Sequence, residues 1–166
     1  MTIHAGHPFP TPDDPVKRLR GRLGGAVSLW TTAAGDERAG LTVSSLMVAG
    51  GEPAYVLGLV DPDSDLAELV TTSEVAVVQL LRWPHRDLAE AFAGTAPAPG
   101  GPFRAAAFED TAWGPRLADA TTWAGVRLVG QREVGWSLEL TCAVEEVVIG
   151  PDDEPLQHRR GRYVRP

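Results

Sequence analysis

A chain of 166 residues, 43% of them hydrophobic, has the length of one domain and enough apolar material to bury a core. Its formal net charge of −7 lacks the basic footprint of a general nucleic-acid binder, so no nucleic-acid partner is expected. The single cysteine, Cys142, excludes an intramolecular disulfide framework; with no apolar run near the roughly 20 residues that span a bilayer and no signal-like start, the chain reads as cytoplasmic with no membrane partner.

Met1 to Pro15 carries four prolines (Pro8, Pro10, Pro12 and Pro15) and little apolar content, which predicts an extended arm over 1–15 ahead of one domain over 16–166. Val16, Leu19 and Leu23 stand at helical spacing among Lys17, Arg18, Arg20 and Arg22, and Gly24-Gly25 stops the pattern, so a short basic helix is expected. A strand from Ala26 to Thr32, the turn Gly35-Asp36 and a second strand from Ala39 to Val48 form a predicted hairpin. The nearly unbroken apolar run Ala54–Val60 predicts a strand buried on both faces. Asp65 and Glu68 have capping-box spacing for a helix to about Thr72, followed by a β-branched strand from Glu74 to Leu81. Pro84 opens a helix to Phe92 that Gly94 ends, and the Ala, Pro and Gly run from Thr95 to Gly101 is a surface loop. Further strands over Trp123–Val129 and Gly135–Ile149 bring the count to about six, which favours a mainly β fold, a barrel with short flanking helices.

Three hydroxyls and a glycine crowd the segment Gly40-Leu41-Thr42-Val43-Ser44-Ser45. Hydroxyls and glycine-adjacent amides form a neutral donor set suited to a phosphate or the edge of a heteroaromatic ring. By itself the same pattern also describes an edge strand with a solvated face. The four histidines, His4, His7, His85 and His158, are scattered without metal-ligand spacing, so no metal is expected; Cys142 reads as a buried, inert thiol. No acid–base pair or nucleophile triad stands out, and no catalytic residue is assigned.

The order of motifs resembles the flavin reductase-like family of FMN-binding split barrels. Thr31-Thr32 and Gly40-Leu41-Thr42-Val43-Ser44-Ser45 are followed by the strand Ala54–Val60, the loop Asp61-Pro62-Asp63-Ser64, Leu88-Ala89-Glu90-Ala91-Phe92-Ala93-Gly94, and an ending with Pro155-Leu156 and Gly161-Arg162-Tyr163. The resemblance covers about residue 16 to the C-terminus. It implies a Greek-key-like split barrel that binds FMN, with FAD the alternative, at the interface of a homodimer. On this chain Thr42, Val43, Ser44 and Ser45 would then contact the ring and ribityl chain, and Asp61 and Ser64 would lie near the ribityl-phosphate end. The implied reaction is hydride transfer from NADH or NADPH to flavin, with a monooxygenase as recipient of the reduced flavin. A flavin carries its own electron chemistry, which fits the lack of a titrating pair.

Two departures from the family pattern matter. The late Gly-Asp-His stands here as Gly135-Trp136-Ser137, so Trp136 either stacks where the nicotinamide would lie or packs in the core. Pro102 replaces the basic residue before Phe103, leaving Arg104 or Arg82 to face a phosphate. The alternatives are therefore a flavin-binding barrel that has lost its nicotinamide site, or an interaction module with an empty site. Arg159-Arg160-Gly161-Arg162 is either a solvated tail or, by the resemblance, the place where Arg162 and Tyr163 pack near a partner subunit. The five tryptophans are expected to help build the apolar face that a dimer would bury.

Overall fold

The computed structural model describes residues 14–165, so most of the arm predicted over 1–15, with His4 and His7, lies outside the described residues. Helix α1 (Pro15–Leu23) starts one residue before the Val16 expected for it, because Asp14 caps it by accepting hydrogen bonds from the Val16 and Lys17 amides. Gly24, at φ 61°, ends the helix where its left-handed geometry needs glycine. Although the apolar spacing of α1 is as predicted, Val16, Leu19 and Leu23 remain exposed.

After β1 (Gly25–Ala26), strands β2 (Ser28–Ala34) and β3 (Glu37–Val43) form the expected hairpin around Gly35-Asp36, in register from Ser28 opposite Val43 to Ala34 opposite Glu37. The single strand predicted from Ala39 to Val48 is in fact two. It breaks at Ser44-Ser45, and β4 (Leu46–Ala49) pairs not with β2 but with β5 (Tyr55–Val60). Helix α2 (Asp65–Ser73) then leads into β6 (Val75–Leu80), and a 3-10 turn (Trp83–His85) precedes α3 (Arg86–Ala93), which starts two residues later than Pro84 suggested and ends at Gly94. A second 3-10 turn (Pro102–Ala105) leads to the hairpin β7 (Phe108–Thr111) and β8 (Gly114–Leu117), which sequence patterning did not reveal. The long hairpin β9 (Trp123–Val134) and β10 (Ser137–Val148) and the short pair β11 (Gln157–Arg159) and β12 (Arg162–Val164) complete the chain.

Seven strands form one curled sheet in the order β3-β2-β6-β9-β10-β5-β4. Because β3 and β4 are its two edges, the Ser44-Ser45 step joins one edge to the other and is the seam of a split barrel. Trp30, Val56, Val60, Leu66, Val126 and Leu140 fill the interior. Trp30 is fully buried and lies over Gly58, where a Cβ would come within 2.7 Å of the indole, so glycine in β5 is what admits the ring. A second cluster, with Leu29, Leu81, Leu88 and Phe92, packs α3 and the Pro102–Ala105 turn on the other face of β2 and β6.

Burial corrects two expectations. In β5, Val56, Gly58 and Val60 point inward, but Leu59 is 38% exposed on the opposite face, so this strand is covered on one side only in the single chain. Nor do the five tryptophans share an outer face: Trp30 and Trp123 are buried, Trp83 and Trp113 half-buried, and only Trp136 is exposed, at 52%. Among the described residues no helix is long and apolar enough to cross a membrane.

Candidate functional site

Strand β3 is held against α3 at two points. The Thr42 hydroxyl donates to the Ala89 carbonyl oxygen at 2.7 Å, and Gly40 lies under Phe92, whose ring a Cβ would meet at 2.6 Å. Val43 turns its side chain into the core, and its carbonyl oxygen accepts from the Ser28 hydroxyl at 2.6 Å, which in turn accepts from the Trp30 indole N–H. The hydroxyls predicted to act together therefore divide. Thr42 spends its proton inside the fold, whereas Ser44 is exposed, Ser45 is half-buried, and neither hydroxyl has a partner among the described residues. Only backbone of the seam is engaged, the Ser45 carbonyl accepting from the Leu59 amide at 2.9 Å.

That bond aligns the seam with the end of β5. Asp61 lies two residues beyond Leu59, and Leu138 pairs with Val60, so the Gly135-Trp136 turn of the β9–β10 hairpin reaches the same end of the sheet. The structure thus gathers Ser44, Ser45, Asp61, Ser64 and Trp136 at one end, from three segments remote in sequence. Trp136 stands in solvent contact there, which removes the alternative that it packs in the core.

Asp61 and Ser64 shape the loop into α2. The Asp61 carboxylate accepts from the Asp63 amide at 2.8 Å, its carbonyl accepts from the Ser64 hydroxyl at 2.6 Å, and Ser64 Oγ accepts from the Ala67 amide at 3.2 Å. Ser64, not Asp65, is therefore the helix cap. Ser64 takes the cap because its backbone is still extended, at φ −73° and ψ 150°, whereas Asp65 is already the first helical residue. Asp61, Asp63, Asp65 and Glu68 together make this helix start acidic. A ligand's hydroxyls fit that field better than a dianion does.

Arg104 projects from the Pro102–Ala105 turn, which is anchored by Phe103 edge-on to Phe92 with ring centroids 5.0 Å apart; its aliphatic chain lies along Gly100 and its head is exposed. Arg82 is tied elsewhere, 3.5 Å from Asp119, which also faces His85. Tyr163 packs with the second cluster of its own chain, and burial, then the charge of Glu90 and a hydrogen bond to it, push its phenol up to about 12. Burial likewise pushes the Cys142 thiol up to about 12, as expected for an inert side chain facing the barrel interior. Among the described residues no cluster of His, Cys, Asp and Glu could hold a metal.

Sequence reasoning missed the role of Thr31-Thr32. The Thr31 hydroxyl donates to the Pro115 carbonyl, and Gln79, fully buried, donates to the Leu29 carbonyl and to Thr31 Oγ1 while accepting from the Leu117 amide at 2.7 Å. Thr32 bonds the Val75 carbonyl at 2.7 Å and the Ser73 hydroxyl. The pair bolts β2 to α2 and to the β7–β8 hairpin, a structural duty that two adjacent threonines in a strand do not advertise.

Comparison with known proteins agrees with this architecture. Residues 20–166 match the Flavin reductase like domain. The chain is 32% identical over 143 residues to the FMN reductase (NADH) RutF 1 of Methylorubrum extorquens (strain PA1), covering 86% of this chain and 70% of that protein. It is equally similar, at 32% over 143 residues, to the FMN reductase (NADH) RutF of Ancylobacter novellus, covering 86% and 78%. Among solved structures, the flavin reductase PheA2 superposes with a TM-score of 0.83 at 21% identity, covering 94% of this chain and 99% of the other. The NADH:FAD oxidoreductase SgcE6 of Streptomyces globisporus C-1027 does so with 0.81 at 23%, covering 95% and 96%. With the family's domain spanning all but the first 19 residues, relatives above 30% identity, and the same curled sheet, the chain belongs to the flavin reductase-like family.

Proposed function

We propose that this chain binds FMN at the barrel seam and reduces it with NADH. The observation that carries the reading is the pair of hydroxyls, Ser44 and Ser45, that have no partner among the described residues, in the step that joins the sheet edges, at the same end as Asp61 and Trp136. The donor set fits a flavin, whose ring edge presents acceptors to hydroxyls and amides and whose ribityl chain presents hydroxyls to a carboxylate. In this reading Ser44 and Ser45 donate to the ring or ribityl oxygens, and the amide of Val43 or its neighbours adds a backbone contact. Thr42 holds the seam against α3, Asp61 and Ser64 face the ribityl chain, and Arg104 supplies the cation for the phosphate. When bound, FMN supplies the hydride-accepting ring. The protein's share of the chemistry is to fix that ring, keep one face open to a nicotinamide, and shield it from bulk water with the exposed Trp136 and a second subunit. NADH is favoured over NADPH by the names of the related reductases, FMN over FAD likewise, and the reduced flavin would pass to a monooxygenase.

The homodimer is part of this proposal. Tyr55, Leu57 and Leu59 alternate with the core-facing residues of β5, and Met47 stands opposite Leu57 on β4, 73% exposed, so an apolar strip runs across the outside of the sheet. A second copy is the occupant that covers it symmetrically. Size-exclusion chromatography with light scattering is expected to give twice the chain mass of 17.7 kDa.

The test is an absorbance spectrum after incubation with FMN and desalting, followed by NADH and then NADPH without oxygen. Retained flavin that bleaches with NADH is the expected outcome; a protein that oxidises neither nucleotide, with or without free flavin, is not a reductase. Ser137 in the family's histidine position, with Trp136 beside it, favours a second reading, a flavin-binding barrel without reductase activity, which flavin retained but left oxidised would support.

A further inference from the structure

The fold unites two basic segments from opposite ends of the sequence. Helix α1 carries Lys17, Arg18, Arg20 and Arg22, and the β11–β12 hairpin carries Arg159, Arg160 and Arg162, which together are seven of the chain's 15 Lys and Arg. They meet because the Arg160 amide donates to the Gly21 carbonyl oxygen at 2.8 Å and Gly21 leaves room for the Arg160 backbone. Between them lies an open cavity of about 290 Å³ lined by Lys17, Arg18, Arg22 and Arg160 and by one carboxylate, Asp14. Asp14 is occupied in capping α1, and none of the four cations is ion-paired among the described residues. Four cations against one carboxylate leave the cavity with a positive excess that a bound anion would balance. In a protein of net charge −7 such a concentration is also far from the average surface.

The backbone adds an independent observation. Arg160 and Gly161, at φ 53° and 77°, are the two central residues of the turn between the paired Arg159 and Arg162. A two-residue turn with both φ values positive favours Asn-Gly, so arginine occupies a position where asparagine would fit the backbone better. Residues held against local preference gather where function needs their side chain. The cavity also neighbours the seam. Gly25 follows Arg22 by three residues and a Cβ there would lie 3.2 Å from the Ser44 carbonyl oxygen, so at most about 11 Å of chain separates Arg22 from the Ser44 neighbourhood.

We propose that this cavity is an anion subsite for the diphosphate of an adenine dinucleotide whose redox end lies at the Ser44-Ser45 seam, an inference that rests on the flavin and nicotinamide reading of the seam. Guanidinium forks from Arg22 and Arg160 match diphosphate oxygens in pairs, and Lys17 and Arg18 add charge. The concave shape and the volume suit a small ligand better than the flat face of a protein. NADH, NADPH and FAD share the diphosphate and adenosine; FMN has neither.

ADP probes the subsite without flavin or nicotinamide. Calorimetric titration of the full chain is expected to show ADP binding that weakens with salt and falls at least tenfold in the double variant Arg22→Gln, Arg160→Asn, while the melting temperature holds or rises. In the same variant the KM for NADH, NADPH or FAD is expected to rise several-fold with kcat little changed and FMN retention intact; the dinucleotide whose KM moves is the natural occupant. ADP affinity unchanged by the substitutions, or absent in the wild type, overturns the subsite. Loss of ADP binding with no change in any dinucleotide's KM overturns its assignment to a dinucleotide, as does inorganic phosphate competing as strongly as ADP. ADP binding with no FMN retention in the wild type would remove the seam reading alone and leave the cavity as an anion site.

Discussion

Ser44 and Ser45 differ from the other hydroxyls of their segment in having no partner among the described residues, so removing them tests binding without dismantling structure. The double substitution Ser44→Ala, Ser45→Ala is expected to weaken FMN binding by about 30-fold, from about 1 kcal/mol for each neutral hydrogen bond, with the melting temperature unchanged; fluorescence quenching on FMN titration measures it. Thr42→Val, by contrast, should lower stability, because the Ala89 carbonyl loses its donor. At the same scale, Cys142 and Tyr163 set an alkaline limit on stability. Both are raised in the folded state to about 12, from ordinary values of 9.0 and 10.0. Below pH 9 both folded and unfolded chains hold these protons and the native state keeps its full advantage. As pH climbs from 9 toward 12 the unfolded chain ionises first, so stability falls, with a slope for Cys142 on the order of 1.4 kcal/mol per pH unit. Urea unfolding at pH 8, 10 and 11 is expected to show the decline, and Cys142→Ala to flatten it. Alkylation of the native thiol at pH 8 should be negligible until the protein is unfolded.

Among the elements, the β7–β8 hairpin shows how a segment without a pattern of its own is folded by others. Gly114 and Pro115 interrupt any strand alternation, yet the hairpin is fixed through the Thr31 hydroxyl on the Pro115 carbonyl and the Gln79 carboxamide on the Leu117 amide. Gln79→Leu keeps the volume but leaves the Leu117 amide buried without an acceptor, at a cost of about 2 kcal/mol. Chemical denaturation should register that loss, and amide exchange should quicken first in Phe108–Leu117. The same logic explains α2. Residue spacing located the helix to within a residue, but the cap fell on Ser64 because the Asp61 turn presents that serine, with the Asp61 carbonyl accepting from the Ser64 hydroxyl and the Asp61 carboxylate from the Asp63 amide.

For the whole molecule, the open question is what covers the outer face of β5. An apolar run that sequence alone reads as buried on both sides is covered on one side by this chain, with Leu59 and Met47 in the open. A second subunit supplies the missing cover in the proposed dimer. Leu59→Asp is expected to shift the elution of the protein to the mass of one chain and to lower FMN retention with it, while circular dichroism shows the barrel intact. A dimer that persists unchanged would place the contact elsewhere. Helix α1 belongs to this scale as well, since its docking through Gly21 on the Arg160 turn is what assembles the basic cavity.

The sequence by itself determined the family, the positions of the three helices and most of the main strands, because helical and strand periodicities and the glycine stops are local properties that survive without a partner. It also marked Gly40 to Ser45, through the chemistry of its residue types. Only the tertiary structure decided that this segment is two strands on opposite sheet edges, since a break in pairing leaves no trace in an alternating pattern. Only the tertiary structure separated Thr42 and Ser64, whose hydroxyls serve the fold, from Ser44 and Ser45, whose hydroxyls do not. It also brought Trp136 and Asp61 to one end of the sheet and the two basic segments to one cavity, because strand register and long-range contact join residues that are remote along the chain.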